Sequence, residues 1–441
     1  MTALPEPLSA HVELLFSDMN GVPRGKVIDG SSLKPGFRPH MGLSVLLQTI
    51  TGGYADVLER LNPKDEDMLL EPDWSTYRAT PWKEDDHSQV ICRTLTKNGV
   101  ATGIDSRNVL INILGEYAKL GWFPIVAPEV EFYLVQPVTD PRNALVPATG
   151  QDGRLESGGE SFSIDALDKF EDYFATLRQS CAKANIQIEG LIHEMGPGQI
   201  ELNVGHGDAL QKADQLFLLK RAVKACALKC GMTATFMAKP IEEAAGSGLH
   251  IHTSMNDAEG KNIFALVDGE ATAMLRHYIA GLQHYLPRAF ALFSPTINSY
   301  KRFVPDLSAP LNLEWGYDNR TAGFRIPYDS DENGRVENRI AGADANPYLF
   351  TAASLACGLL GVREKLEPRA PVEGNAYNLN LPAAFPRDLG AALVDLQNCQ
   401  PIIDLMGRDF IDSFVSVKLD EIGHFQAEIS LWEQRYLCES L

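Results

Sequence analysis

Three stretches between residues 123 and 255, FPIVAPEVEFYLV, GQIELNV and GLHIHTSM, alternate polar with apolar residues. Such period-two alternation marks β-strands, whose successive side chains point to opposite faces. Glu129 and Glu131 therefore share one face of their strand, and His250 and His252 share one face of theirs. Strands buried on both sides read as apolar throughout, so these strands form a sheet with one wet face. TATFMAKP reads as a further strand, and helices are expected at about 163–184, 211–230, 270–288 and 346–364, with a helical tail from 388. The pattern is mixed α and β.

A chain of 441 residues is expected to divide, since single cores stop growing at roughly 250–300 residues. HVELLFSDMNGVPRGKVIDG, at 11–30, predicts strand, turn and strand with the bend at Asn20-Gly21. SQVICRTL, at 88–95, predicts another strand before Asp105-Ser106, which caps a helix with the apolar stripe Leu110, Ile113, Leu114, Tyr117 and Leu120. A boundary near 105 separates domains at 1–105 and 106–441. Residues 137–162, rich in Gly, Pro and charge, predict a long surface loop. The apolar window from Tyr348 to Val362 is shorter than the roughly 20 residues of a membrane span and predicts a core helix.

The formal charge of −19, with no long Lys/Arg run, argues against nucleic-acid binding, which needs a basic face. MTALPEPLSAHVELLF lacks an export signal. Seven cysteines scattered from Cys92 to Cys438 read as reduced thiols. A cytoplasmic protein without a membrane partner is expected. Cys226 and Cys230 have no second Cys/His pair nearby, so they read as packing residues rather than a zinc site.

Alone, Glu129 and Glu131 are what a solvated strand face would carry. HEMGPGQIELN adds Glu194 and Glu201 around a Gly-Pro-Gly turn, GSGLHIHTSM adds the two histidines, and VENRIAG adds Glu337. Carboxylates mixed with imidazole suit Mg²⁺ or Mn²⁺, whereas zinc more often recruits thiolates. Cations gather in the same region: Lys301 and Arg302 in NSYKRFVP, Arg320 and Arg325 in DNRTAGFRIP, and Arg335 and Arg339 flanking Glu337. Guanidinium forks grip phosphates and carboxylates, and with metals they offset charge on a phosphoryl group in transfer.

In this order, PEVEF (128–132), HEMGPGQIE (193–201), KPIEEAAGSGLHIHTSM (239–255), NSYKRFVP (298–305), NRTAGFRIP (319–327) and VENRIAGADANPYL (336–349) resemble the signature of the glutamine synthetase superfamily, over most of 105–365. The resemblance implies an α+β fold. A small N-terminal β-grasp domain would precede a large C-terminal α/β catalytic domain with a curved antiparallel sheet and a helical tail. It also implies ATP and two or more Mg²⁺ or Mn²⁺ ions, one held by Glu131, Glu194 and Glu201 and another by Glu129, His250 and Glu337. His252, Ser254 and Arg335 match nucleotide contacts, Gly246, Arg302 and Arg339 match glutamate contacts, and Arg320 and Arg325 match contacts to the transferring phosphate. ATP would phosphorylate the glutamate γ-carboxylate, and an amine would then displace phosphate. The resemblance further implies a homo-oligomeric ring, either a hexamer or a double-ring dodecamer, with active sites at the junctions of neighbouring subunits.

The family binds ammonium with an N-terminal aspartate and a flap glutamate. Those positions fall here on Thr49 in LLQTITGGYAD, with Asp56 as an alternative, and on Ser308 in NSYKRFVPDLSAP. Loss of both acids removes the attraction that concentrates and desolvates a small cation. Together with NGVPRGK near the start and WEQRY at 432–436, these changes resemble the γ-glutamylpolyamine or γ-glutamylamine synthetase branch. The expected amine is larger than ammonia, either a polyamine or a bulky or aromatic monoamine. The general base stays open, with Asp306 and Glu314 nearby in sequence. Three other readings remain: glutamine synthetase proper using ammonia, a catalytically inactive structural or binding homologue, and a guanidino phosphotransferase on a related fold. Retention of six costly ligand residues stands against the inactive homologue.

Overall fold

The computed structural model describes residues 4–140, 142–305, 307, 309–379, 381 and 384–438. Near its start, β1 (His11–Ser17) and β2 (Pro23–Asp29) pair as an antiparallel hairpin. The reversal falls at the Asn-Gly step, where Gly21 has φ 75°, a left-handed conformation that suits glycine. Asp18 holds this turn by accepting the N–H groups of Asn20 and Val22, each at 2.9 Å.

The strands β3 (His40–Gly42), β4 (Asp67–Pro72), β5 (Arg78–Ala79) and β6 (His87–Leu95) complete a six-stranded sheet of order β2-β1-β6-β4-β3, with β5 also on β6. β1 and β6 run parallel. The helix Ser106–Ala118 follows, capped by the Asp105 carboxylate, which accepts the N–H groups of Arg107 and Asn108. Leu110, Ile113 and Tyr117 are buried on its inner side. The helix ends before Leu120, which is exposed beside the turn at Gly121, so the expected stripe is one residue too long.

A second sheet, curled into a half-barrel, carries the acidic segments. Its strands are β7 (Phe123–Val135), β8 (Gly190–His193), β9 (Gln199–Asn203), β10 (Gly207–Asp208), β11 (Thr233–Thr235), β12 (Leu249–Asn256), β13 (Trp315–Tyr317), β14 (Phe324–Ile326) and β15 (Val336–Asn338). The order is β13-β14-β15-β12-β7-β9-β8, with β10 and β11 also on β7. Only the first part of TATFMAKP joins the sheet. Beyond Thr235 the chain departs, and the Lys239 N–H donates to Asn298 Oδ1 at 2.8 Å.

Helices cover the other face of this sheet. Ala209–Lys229 packs on β7, and Pro347–Glu364 packs on Ser106–Ala118 and Ala273–Tyr285. Residues 347–361 are all buried, and no helix among the described residues is long and apolar enough to cross a membrane. Two helices meet backbone to backbone, since a Cβ on Gly361 would lie 2.5 Å from Gly281 Cα. The helix expected at 163–184 is two helices, Ile164–Asp168 and Glu171–Lys183, because the chain turns between them to bury Phe170. The described residues of 137–162 carry only isolated bridges, as a loop should.

The tail comprises Leu389–Gln397, Gln400–Met406, Arg408–Ala427 and Leu431–Leu437. Arg408–Ala427 returns to the N-terminal region, where Glu421 accepts Asn20 Nδ2 and the Ile50 N–H, each at 2.8 Å. Lys418, buried beside it, donates to Glu421 at 2.9 Å.

Candidate active site

Strand register assembles the site. In the ladders of β7, Glu131 stands opposite Glu201, and Glu129 lies between Asn203 on β9 and His250 on β12. β15 places Glu337 opposite His252, and β14 places Arg325 opposite Glu337. Alternation then turns these side chains to a single face. Glu194 joins them from the turn between β8 and β9, where its N–H donates to Gln199 O at 2.8 Å.

Glu129 is the hub of this cluster, 3.4 Å from His250 Nδ1 and 3.1 Å from His252 Nε2. His250 also lies 3.7 Å from Glu337 and 3.9 Å from Glu131. Among the described residues two groups could hold a metal ion, Glu129 with Glu201 and His250, and Glu129 with His252 and Glu337, each with donor atoms within 4.8 Å of one another. The resemblance instead pairs Glu131, Glu194 and Glu201, and gives His252 to the nucleotide. Here Glu131 is drawn towards Gln199 Nε2 at 2.8 Å and the Gly248 N–H at 2.9 Å.

The electrostatics fit a divalent cation. Burial and then repulsion from Glu129 and Glu131 push the Glu201 carboxyl up to about 9, and burial with Glu131 pushes Glu194 up to about 7. Burial also opposes ionisation of Glu129 and Glu337. Hydrogen bonds from His250 and His252 overcome it at Glu129, driving that carboxyl well below the usual range. At Glu337 the Arg339, His252 and His250 charges overcome it and hold the group at about 2. Carboxylates that raise one another's proton affinity are relieved by a cation among them. Oxygen and imidazole donors without a thiolate suit Mg²⁺ or Mn²⁺.

Two cavities meet at this cluster. One, of about 480 Å³, is lined by Glu131, Glu194, Glu201 and His250 together with Gly246, Arg302, Arg320 and Arg339. The other, of about 640 Å³, is lined by His252, Ser254 and Arg335. Glu129, Asn203 and Arg325 line both. Gly246 admits no larger residue, since an added Cβ would lie 2.5 Å from Arg302 Cγ and 2.7 Å from Ala238 O. Arg302 is buried and donates to Ile340 O at 2.8 Å. Arg325 spans Glu337 and Asp318, at 3.1 Å to each, Arg339 pairs with Glu337, and Arg335 reaches Asp329 at 3.1 Å. Arg320 is exposed at the rim.

Thr49 is not part of this assembly within the chain. It is fully buried, its hydroxyl 2.9 Å from Thr51 Oγ1, and it lines neither cavity. Asp56 lines a separate cavity with Asp412, Asp420 and His424. Ser308 and Asp306 lie outside the described residues. Glu314 is unsuited to the general-base role considered above, because it is buried in an ion pair with Arg369 at 2.8 Å and lines neither cavity. Residue-by-residue reading missed Gln199 and Asn203, which flank Glu201 on its own strand face. Asn203 Nδ2 donates to Glu201 at 3.0 Å. It also missed Phe162, on a loop, and Tyr377, in the single 3-10 turn Ala376–Asn378, which line the first cavity from segments without a period.

Comparison with known proteins carries this geometry to a family. Residues 103–437 match the description "Glutamine synthetase, catalytic domain". The chain is 35% identical over 445 residues to the γ-glutamylputrescine synthetase PuuA of Escherichia coli (strain K12), covering 98% of this chain and 93% of that one. It is also 35% identical over 382 residues to a glutamate–isopropylamine ligase of a Pseudomonas species, covering 84% of this chain and 81% of the other. Among solved structures, one titled "GmaS/ADP complex-Conformation 1" superposes with a TM-score of 0.82 at 26% identity, across 98% of this chain and 97% of that chain. Strand register, ligand set and full-length similarity thus agree, and the chain belongs to the glutamine synthetase family of ligases.

Proposed function

We propose that this enzyme joins the γ-carboxylate of glutamate to an amine larger than ammonia, through a γ-glutamyl phosphate made with ATP. The observation that carries the reading is the pair of cavities with a shared wall. The residues matched to glutamate line one, the residues matched to nucleotide line the other, and Glu129 and Arg325 stand where they join. A phosphoryl group passing from nucleotide to glutamate has to cross at that wall.

When bound, Mg²⁺ or Mn²⁺ ions held by Glu129, Glu131, Glu194, Glu201, His250 and Glu337 supply positive charge to the glutamate carboxylate and the phosphate oxygens. The chain's own cations complete the field. Buried Arg302 and Arg339 grip the substrate's carboxylates, while Arg325 and Arg320 face the phosphoryl group. A bare carboxylate repels nucleophiles and lacks a leaving group, so activation turns one hard step into two easier ones. His252, Ser254 and Arg335 hold the nucleotide in the second cavity.

Two considerations favour an organic amine. The relatives above carry names that specify putrescine and isopropylamine. Thr49 and Ser308 stand where the resemblance expects ammonium-binding acids. We also propose a homo-oligomeric ring and a division into 1–105 and 106–441. The test is phosphate release from ATP with glutamate and Mg²⁺ or Mn²⁺ across ammonia, alkyl and aromatic monoamines, diamines and polyamines. Higher turnover with organic amines is expected. Ammonia as the best substrate would return the enzyme to glutamine synthetase proper, and no turnover would favour a binding role.

A further inference from the structure

Phe162 is a bulky aromatic residue at φ 63°, a left-handed backbone that costs any β-carbon residue free energy and that recurs at functional sites. Its loop is stitched down to hold it there. The Phe162 N–H donates to His193 O at 2.8 Å, and the Gly159 N–H donates to Met195 O at 2.9 Å. Glu156 accepts the N–H groups of Ser157 and Gly158 at 3.0 and 3.1 Å. These bonds fix Phe162 beside the segment that carries Glu194. The side chain gains no burial in return. It is 69% exposed and lines the glutamate-side cavity together with Ile192, Met195 and Ala309. An aromatic ring kept out of the core on a strained backbone needs a reason, and the cavity supplies one.

The charges lining that cavity are equally selective. Among the described residues, its carboxylates are Glu129, Glu131, Glu194 and Glu201, all within the metal-ligand set, and its other charged groups include Arg302, Arg320, Arg325 and Arg339. Within this chain, the distal ammonium of a diamine or polyamine would meet guanidinium groups and, among the described residues, no carboxylate outside that set. Desolvating a cation there without a partner is costly. A hydrocarbon substituent would instead cover Phe162 and Met195.

Resting on the glutamate–amine ligase reading, we propose that Phe162, with Met195, is the specificity-determining wall of the amine site, and that the enzyme takes primary monoamines bearing an apolar alkyl or aryl group. Polyamines are disfavoured by the same wall.

The experiment compares kcat/KM of the full-length enzyme for 2-phenylethylamine, isopentylamine, putrescine, spermidine and ammonia, by phosphate release with ATP, glutamate and Mg²⁺. The monoamines should exceed putrescine and spermidine by about tenfold or more. Phe162→Gly is the informative variant, because glycine accepts the left-handed backbone and the fold is retained. It should raise KM for 2-phenylethylamine by about tenfold and leave KM for glutamate in place, with Met195→Ala moving the same way. Preference for putrescine or spermidine, or an unchanged amine KM in both variants, would overturn the proposal while leaving the ligase reading standing. Absence of turnover with every amine, ammonia included, would overturn the ligase reading and this proposal with it.

Discussion

Glu131 and Glu201 stand directly opposite one another in the ladder of β7 and β9, a placement that like charges tolerate only with a proton or a cation between them. In the metal-free protein burial, and then the Glu129 and Glu131 charges, favour a proton on Glu201. Glu201, raised to about 9 from a reference of 4.5, binds a proton in the folded state that the unfolded chain has lost, so stability falls as pH rises through this window. Glu194 adds the same dependence up to about 7. Glu129 and Glu337 are lowered, so their stabilisation is fully present above 4.5 and is lost only in acid. Chelator-treated enzyme should therefore melt at a lower temperature near pH 9 than near pH 6, and Mg²⁺ should raise the Tm more at the higher pH. Scanning calorimetry with and without Mg²⁺ measures both; equal metal shifts at the two pH values would refute the coupling.

Removing a ligand separates chemistry from fold. Glu131→Ala and Glu194→Ala should each lower metal-dependent phosphate release by about a thousandfold, with circular dichroism unchanged. Wild-type rates in either variant would remove that residue from the metal set.

Gln199 offers a gentler perturbation, since it orients Glu131 through a hydrogen bond of 2.8 Å and also donates to Gly246 O at 3.1 Å. Gln199→Leu should weaken metal affinity about 10- to 100-fold. Titrating Mn²⁺ by electron paramagnetic resonance gives the affinity directly, without relying on turnover.

Gly248 has no side chain because the site occupies its space. An added Cβ would stand 2.8 Å from both Arg302 Nη2 and His250 Nε2 and 3.1 Å from Glu131 Oε1. Gly248→Ala is expected to cut turnover by about a hundredfold while shifting the Tm little, because the displaced groups are side-chain ends. A large loss of Tm with normal turnover would contradict this account.

The last described helix, Leu431–Leu437, and the residue before its cap expose Ile429, Leu431, Trp432 and Tyr436, with Trp432 at 62%, an apolar concentration of the kind that association surfaces carry. Within the proposed ring assembly, ending the chain after Glu428 should reduce the assembled mass. Light scattering after size exclusion tests this, and identical mass for both forms would assign the surface another role.

Much of the site was legible because its ligands repeat every second residue on strands, and pairing needs only register to bring Glu129, His250 and Glu337 together. Gln199 and Asn203 obeyed the same rule and were visible in principle. Phe162 was not. Its position depends on backbone bonds to His193, far along the chain, and no local pattern encodes them. The division of 163–184 into two helices was likewise set by burial of Phe170, a tertiary demand that overrides continuous helical periodicity. Leu120 was lost from its stripe because Gly121 ends the turn first.

Glu421 fastens the hairpin turn at Asn20 and the loop at Ile50 from 401 and 371 residues further along the chain. Synthesis proceeds from the N-terminus at roughly 5–20 residues per second, so the opening hairpin leaves the ribosome long before its clasp exists. The N-terminal sheet therefore stays unlatched until the chain has been made as far as Glu421.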